Sequence, residues 1–242
     1  MKILPALLLL FTALLSTNAQ EVTFQKAKEA YDAGRYTEAA AHYETLLSNG
    51  VSNVEVEYNL ANAYFKNAQL PDAVWHYRKA WYAAPRDPDI RANLSFALSA
   101  AGASIPSANL LDQSLTELSQ VEWIKIAMGA YLLFTLLLLL GQLIRPARRI
   151  LSQLSLLPAV LLLIAVGGWW NWQQFKRHPE GVVVKNNATA LYGPVEGSTA
   201  HYKVPLAALV RQRATDAKGW TEIEYDGKIG WLKNEYIVRI SP

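Results

Sequence analysis

The chain has 242 residues, with 23 lysines and arginines against 20 aspartates and glutamates, and no cysteine. The near balance of charge, with no basic stripe interleaved with aromatics, excludes a nucleic-acid footprint. The missing thiol excludes disulfides, thiolate catalysis, a lipidated cysteine anchor, iron–sulfur clusters and cysteine-type zinc sites.

The first element is Lys2, followed by an apolar stretch over residues 3–15 and the run Ser16-Thr17-Asn18-Ala19-Gln20. These are the three parts of a secretory signal peptide over residues 1–19, cut after Ala19. The apolar stretch is short for a membrane span, which favours removal over anchoring.

Residues 20–104 carry an internal repeat. Gly34-Arg35-Tyr36-Thr37-Glu38-Ala39 aligns with Ala68-Gln69-Leu70-Pro71-Asp72-Ala73, 34 residues further on, and the same step pairs His42 with His76 and Tyr43 with Tyr77. Small residues at fixed places (Ala61, Ala73, Ala80) facing large ones (Tyr64, Tyr77) predict closely packed helix pairs, with Pro85 ending one helix and Pro88 opening the next. The period and the residues Leu60, Ala61, Tyr64, Ala73, Tyr77, Ala80 and Pro85 resemble the tetratricopeptide repeat. The resemblance implies an α-helical solenoid of two units plus a capping helix over 88–101. It also implies a concave face that grips a protein partner, carrying Lys28, Tyr31, Asp32, Tyr58, Asn59, Asn62, Phe65, Lys66 and Asn93. The alternative for any one of these is a solvated helix face. At the positions where carboxylate-clamp repeats hold basic residues this chain has Phe24, Lys28, Asn59, Asp89 and Asn93, so capture of a C-terminal carboxylate is not expected.

After a juxtamembrane linker over 105–122, two uninterrupted apolar runs occupy 123–144 and 154–172. As helices they measure roughly 33 and 28 Å, enough to cross a hydrocarbon core. They predict a transmembrane hairpin with a cytoplasmic turn at 145–153, where Arg145, Arg148 and Arg149 satisfy the positive-inside preference. Trp123, Trp169, Trp170 and Trp172 are expected to form one aromatic belt at the outer interface, and Pro158 to bend or tilt the second span. No ionisable relay runs through the spans, so they read as anchors. Everything before and after the hairpin then lies on one extracytoplasmic side.

Beyond a linker over 173–180, period two replaces helical spacing in residues 181–242. Thr221, Ile223 and Tyr225 alternate with Glu222 and Glu224. Asp226-Gly227 then precedes a second run, a strong type I′ hairpin signal. Further strands are expected at 181–184, 189–191, 208–213 and 237–240, giving five or six in a small barrel. The run from Gly219 to Ile237, with Ala190-Leu191-Tyr192-Gly193 upstream, resembles the bacterial SH3-like (SH3b) domain. Lys233 stands where peptide-binding relatives have proline, so a polyproline groove would lack one wall. Tyr192, Trp220 and Tyr236 are the candidate aromatic surface, with core or rim packing the alternative for each, and cell-wall peptide is the ligand class implied by analogy.

In its order of modules the chain resembles the BatE-type proteins of bacterial aerotolerance operons. That resemblance implies companions of the von Willebrand-A type and a MoxR-type ATPase, and a place in the inner membrane. The fold class is thus a multidomain membrane protein: helical tetratricopeptide solenoid, transmembrane helical hairpin, small all-β SH3-like barrel. The sequence holds no GxSxG elbow, P-loop, HExxH or Gly-rich dinucleotide turn, and no metal-ligand spacing. His42 and His76 share one repeat position and read as surface or packing residues. His178 falls in a charged linker and His201 in a loop. The expectation is a non-enzymatic scaffold without cofactors that binds partners through its repeats. The competing reading is a peptidoglycan-binding sensor acting through the SH3-like segment.

Overall fold

The computed structural model describes residues 19–104 and 110–240. The expected signal peptide, up to residue 18, lies outside them. Helix α1 covers 19–32, followed by α2 (Tyr36–Ser48), α3 (Val54–Lys66), α4 (Leu70–Ala83) and α5 (Pro88–Ala100). Asn53 caps α3 by accepting from the Val56 amide at 2.8 Å, and Asp87 caps α5 by accepting from Asp89 and Ile90, with Pro88 in the first turn. Consecutive helices pack through small residues: Ala27, Ala30, Ala39, Ala63, Ala73 and Ala97 are fully buried against Tyr43, Leu60, Tyr77 and Leu94.

The 34-residue step recurs in the backbone itself. Gly34, Ala68 and Gly102 all take positive φ, at 76°, 59° and 70°. Each ends its helix with the same pair of bonds. The residue itself donates three back, and its successor five back: Arg35 to Ala30, Gln69 to Tyr64, Ala103 to Leu98, at 2.8–2.9 Å. This is a Schellman ending at three sites one period apart, which satisfies the terminal carbonyls; Gly50 ends α2 in the same way.

Helix α6 (Leu110–Thr116) falls in the expected linker. It leads to α7 (Gln120–Leu143), a 3₁₀ turn (Arg145–Ala147), α8 (Arg148–Leu154) and α9 (Leu156–Arg177). A Ser119–Glu122 capping box starts α7. The turn expected over 145–153 is therefore mostly helical, and the linker expected from 173 continues α9. Helix α7 and the run Arg145–Arg177 are long and apolar enough to cross a membrane. Only 11% and 17% of their apolar windows are buried, unlike the core helix of a water-soluble body. Pro158 sits in the first turn of α9, where its absent N–H would have faced Leu154, and the helix breaks at Ser155 just before it.

Seven antiparallel strands form one sheet in the order β3-β2-β6-β5-β4-β1-β7: β1 (Glu180–Val183), β2 (Ala188–Leu191), β3 (Ala200–Val204), β4 (Leu209–Thr215), β5 (Trp220–Tyr225), β6 (Lys228–Lys233) and β7 (Ile237–Arg239). Strand β3 exceeds the five or six expected, and it places His201 in a strand rather than a loop. Asp226 and Gly227 both have positive φ, 50° and 70°, as a two-residue hairpin turn demands. Shifts in pairing at Ala190/Leu191 and at Gln212/Ala214 bend the sheet over Val182, Leu209, Ile223 and Leu232.

The helical and strand segments are docked on each other at the end of α9. Arg78 on α4 grips Glu180 on β1 with two bonds, 2.5 and 2.8 Å, and Tyr82 donates to the same carboxylate at 2.9 Å. Trp81, Tyr82, Trp172 and Phe175 pack ring to ring around this pair. The Trp75 indole donates to the Arg239 carbonyl at 3.0 Å, occupying the outer edge of β7. Two members of the expected interfacial belt are thus interior. Trp123 and Trp172 are buried, and their indoles cap the carbonyls of Leu115 and Leu118 at 2.9 and 2.8 Å. The physical reason is that those carbonyls, in the last turn of α6 and in the bend after it, need donors inside the joint.

Candidate functional site

The first helix of each pair supplies one continuous face. On α3, Tyr58 and Asn62 meet Asn93 of α5: the Asn93 amide donates to the Tyr58 hydroxyl at 2.8 Å and to the Asn62 carbonyl oxygen at 3.2 Å. Tyr77 on α4 donates to that same oxygen at 2.5 Å. Phe65 packs on Phe96, ring centroids 5.4 Å apart, and Tyr31 of α1 meets Tyr36 edge-on. Burial, helped by neighbouring Tyr36, Tyr58 and Asp32, raises the Tyr31 phenol above its ordinary value. Burial likewise raises the Tyr77 phenol. These hydroxyls stay neutral donors across physiological pH.

Among the expected residues, then, Asn62 and Asn93 are joined in one network, and Phe65 and Tyr31 are half-buried beside it. Lys28 and Lys66 are exposed, and they and Asn59 make no side-chain hydrogen bond or ion pair among the described residues. The face presents free amide and ammonium donors around an aromatic floor, a lining suited to the carbonyls of an extended peptide. Phe96, 63% exposed, was not among the candidates, yet it stands one 34-residue step beyond Asn62 and two beyond Lys28. The period alone would have found it.

On the far side of α3 lies a buried polar cluster. The Glu57 carboxylate meets the His76 ring at 2.6 Å, also binds Lys79, and accepts from Ser52 at 3.1 Å. Burial pushes the Glu57 carboxyl up, but the bonds and charges of His76 and Lys79 outweigh it and hold the group below its ordinary 4.5. Ser52 is bound to the acid and not to the imidazole, so the order a serine nucleophile needs is inverted. His76 and His42 part company here: His42 is half-exposed, 3.9 Å from Glu38. Among the described residues no group of three or more acidic, histidine or cysteine side chains could hold a metal ion.

The strand segment divides its candidate aromatics. Tyr192 is 64% exposed and stacks on His201, centroids 4.0 Å apart. Trp220 is buried, which corrects its assignment to a surface. It opens β5 on the face opposite Ile223, shared with Glu222 and Glu224, beneath Lys233, whose ammonium lies 5.8 Å from the ring centre and binds Glu196 at 2.5 Å. Tyr236 is half-buried against the core, and no ring contact joins these three residues. Lys233 thus lies over the indole as a lid. No protein-family model matches the chain, and comparison with curated proteins finds no match either.

Proposed function

We propose that this chain is a non-enzymatic, membrane-anchored scaffold that holds a protein partner on the face built by α1, α3 and α5. The threefold Schellman ending at Gly34, Ala68 and Gly102 carries the reading. It supports a tetratricopeptide-type stack, whose inner face carries the network of Asn62, Asn93 and Tyr58 with Phe65 beside it. In this reading 120–177 is a transmembrane hairpin, the seven-stranded segment is an SH3-like barrel, and both lie outside a bacterial inner membrane. The resemblance to BatE-type proteins makes a von Willebrand-A-type membrane protein the expected partner. Photo-cross-linking from Asn59 in the intact membrane, followed by mass spectrometry, tests this. A von Willebrand-A companion is the expected product, and Phe65→Ala with Phe96→Ala should cut its yield about tenfold, as loss of a central aromatic anchor does. Unchanged cross-linking refutes the assignment of that face.

The exposed Tyr192–His201 stack favours a second reading, in which the strand segment docks on peptidoglycan. Co-sedimentation of the detergent-solubilised full chain with cell-wall sacculi, lost in Tyr192→Ala, would support it. Absence from the pellet would leave the scaffold reading standing alone.

A further inference from the structure

Where the two segments meet, a cleft of about 870 Å³ opens between α4, α5, α6, the last turns of α9, and strands β1 and β4. Its charges do not cancel. Glu180 stands opposite Arg211 in the β1–β4 register, yet Arg78 and Tyr82 occupy both of its oxygens. Arg211 is exposed and has no ion-pair partner among the described residues, and Arg91 reaches Glu117 only at 3.7 Å, beyond a hydrogen bond. Three arginines therefore face two glutamates. The side chains of Asn171 and Gln174 also line the cleft and donate to nothing among the described residues, while Trp81 and Phe175 give it an aromatic wall.

Its position narrows the ligand. Asn171, Gln174 and Phe175 lie on the last two turns of a helix long and apolar enough to cross a membrane, so the cleft opens at headgroup level. Helix α6 runs beside α9 there and exposes Leu110 and Leu111 at 83% and 68%, side chains that belong in acyl chains more than in water. Guanidinium groups match phosphate oxygens bidentately, and free amides serve the ester and glycerol oxygens. We propose that this cleft binds the phosphate headgroup of an anionic phospholipid, with Arg91 and Arg211 on the phosphate and Trp81 and Phe175 against the glycerol.

The inference rests on the membrane reading of α7 and α9, which alkaline carbonate extraction of the full chain tests by itself. The cleft is tested on the full chain in neutral detergent, titrated calorimetrically with short-chain phosphatidylglycerol, short-chain phosphatidylcholine, sodium phosphate and a tetraglutamate peptide. One phosphatidylglycerol per chain should bind, about tenfold or more tighter than phosphatidylcholine. Arg91→Ala with Arg211→Ala should abolish that preference. Lys203→Ala with Lys218→Ala, which removes the same two charges outside the cleft, should keep it. Unchanged thermal unfolding of the arginine double variant establishes that the loss is not misfolding. Equal binding of the two lipids, a preference that survives in the arginine double variant, or inorganic phosphate or peptide binding as tightly as the anionic lipid would each overturn the assignment. A chain that stays in the extracted membrane yet shows no preference overturns the cleft alone.

Discussion

Ala68 does the work of a glycine. It takes φ of 59° at a place where its two equivalents are Gly34 and Gly102, and nothing crowds the missing side chain of either glycine. The cost of the left-handed conformation is thus borne by the backbone alone, ~1 kcal/mol for an alanine. Gly102→Ala should lower stability by about that amount, and Ala68→Gly should raise it by a few tenths once the entropy of glycine is set against the relief. Chemical denaturation of both variants measures the pair. A destabilising Ala68→Gly would mean that the alanine methyl packs in a way the geometry does not show. Glu57 gives a residue-scale prediction with pH. Its carboxyl titrates below the ordinary 4.5, so the unfolded chain binds more protons and stability rises with pH. Its contribution is complete above about 4.5 and is lost as pH falls through the lower folded value. The stability gap between the native chain and Glu57→Gln should therefore be full at pH 7 and narrow steadily below pH 4.5. A gap that widens on acidification would reverse the sign argued here. Single residues were unevenly legible in the sequence. The Asp226-Gly227 turn could be read at once, since two adjacent positive φ values leave few other residue types. The burial of Trp220 could not, because it shares the face of Glu222 and Glu224 and is covered by Lys233, its partner across the hairpin.

Helices α7 and α9 pack with Trp123 lying over Gly168. A Cβ built at Gly168 would overlap the indole ring, whereas one at Gly167 would meet nothing. Gly168→Ala should cost ~1–3 kcal/mol by displacing Trp123 from the Leu115 carbonyl, and Gly167→Ala should be neutral or slightly stabilising. Thermal unfolding in detergent, read by tryptophan fluorescence, separates the two. Equal effects would show that the helices do not approach here. At this scale the sequence was most readable where structure is local. The helix break between Pro85 and Pro88, the two apolar runs and the β5–β6 hairpin all follow from patterns within about twenty consecutive residues. Strand β3 escaped because Ala200-His201-Tyr202-Lys203-Val204 has little β-former content of its own and is held by pairing with β2. Helix α6 escaped for a related reason: its last turn and the bend after it are finished by indoles from α7 and α9, one of them more than fifty residues away.

The joint between the helical and strand segments belongs to the whole molecule. Arg78 and Glu180 are both buried. Burial alone would lower the Arg78 pKa, and the facing Glu180 carboxylate and Tyr82 raise it instead. Glu180→Ala strands that guanidinium in the interior and should cost ~3–5 kcal/mol, while Arg78→Met with Glu180→Leu should recover much of the loss. A double-mutant cycle on unfolding free energies measures the coupling, and two losses that simply add would deny that these side chains hold the joint. None of this was legible in the sequence, where the partners stand 102 residues apart and each, taken alone, looks like an ordinary surface charge. The proposed topology belongs at this scale too. Reporters placed near residue 105 and after Pro242 should be exported alike, and opposite fates would separate two segments that the joint holds in contact.

The Trp75 indole and the Arg239 carbonyl lie 164 residues apart. A ribosome working from the N-terminus finishes α4 long before the strands that cover it exist. Through that interval Trp75, Arg78 and Tyr82 stand ready without a counterpart, and a product halted before residue 180 keeps them so for good. Premature termination therefore yields a sticky, charge-bearing aromatic flank that proteases and chaperones can recognise, and strands β1 and β7 act as its seal.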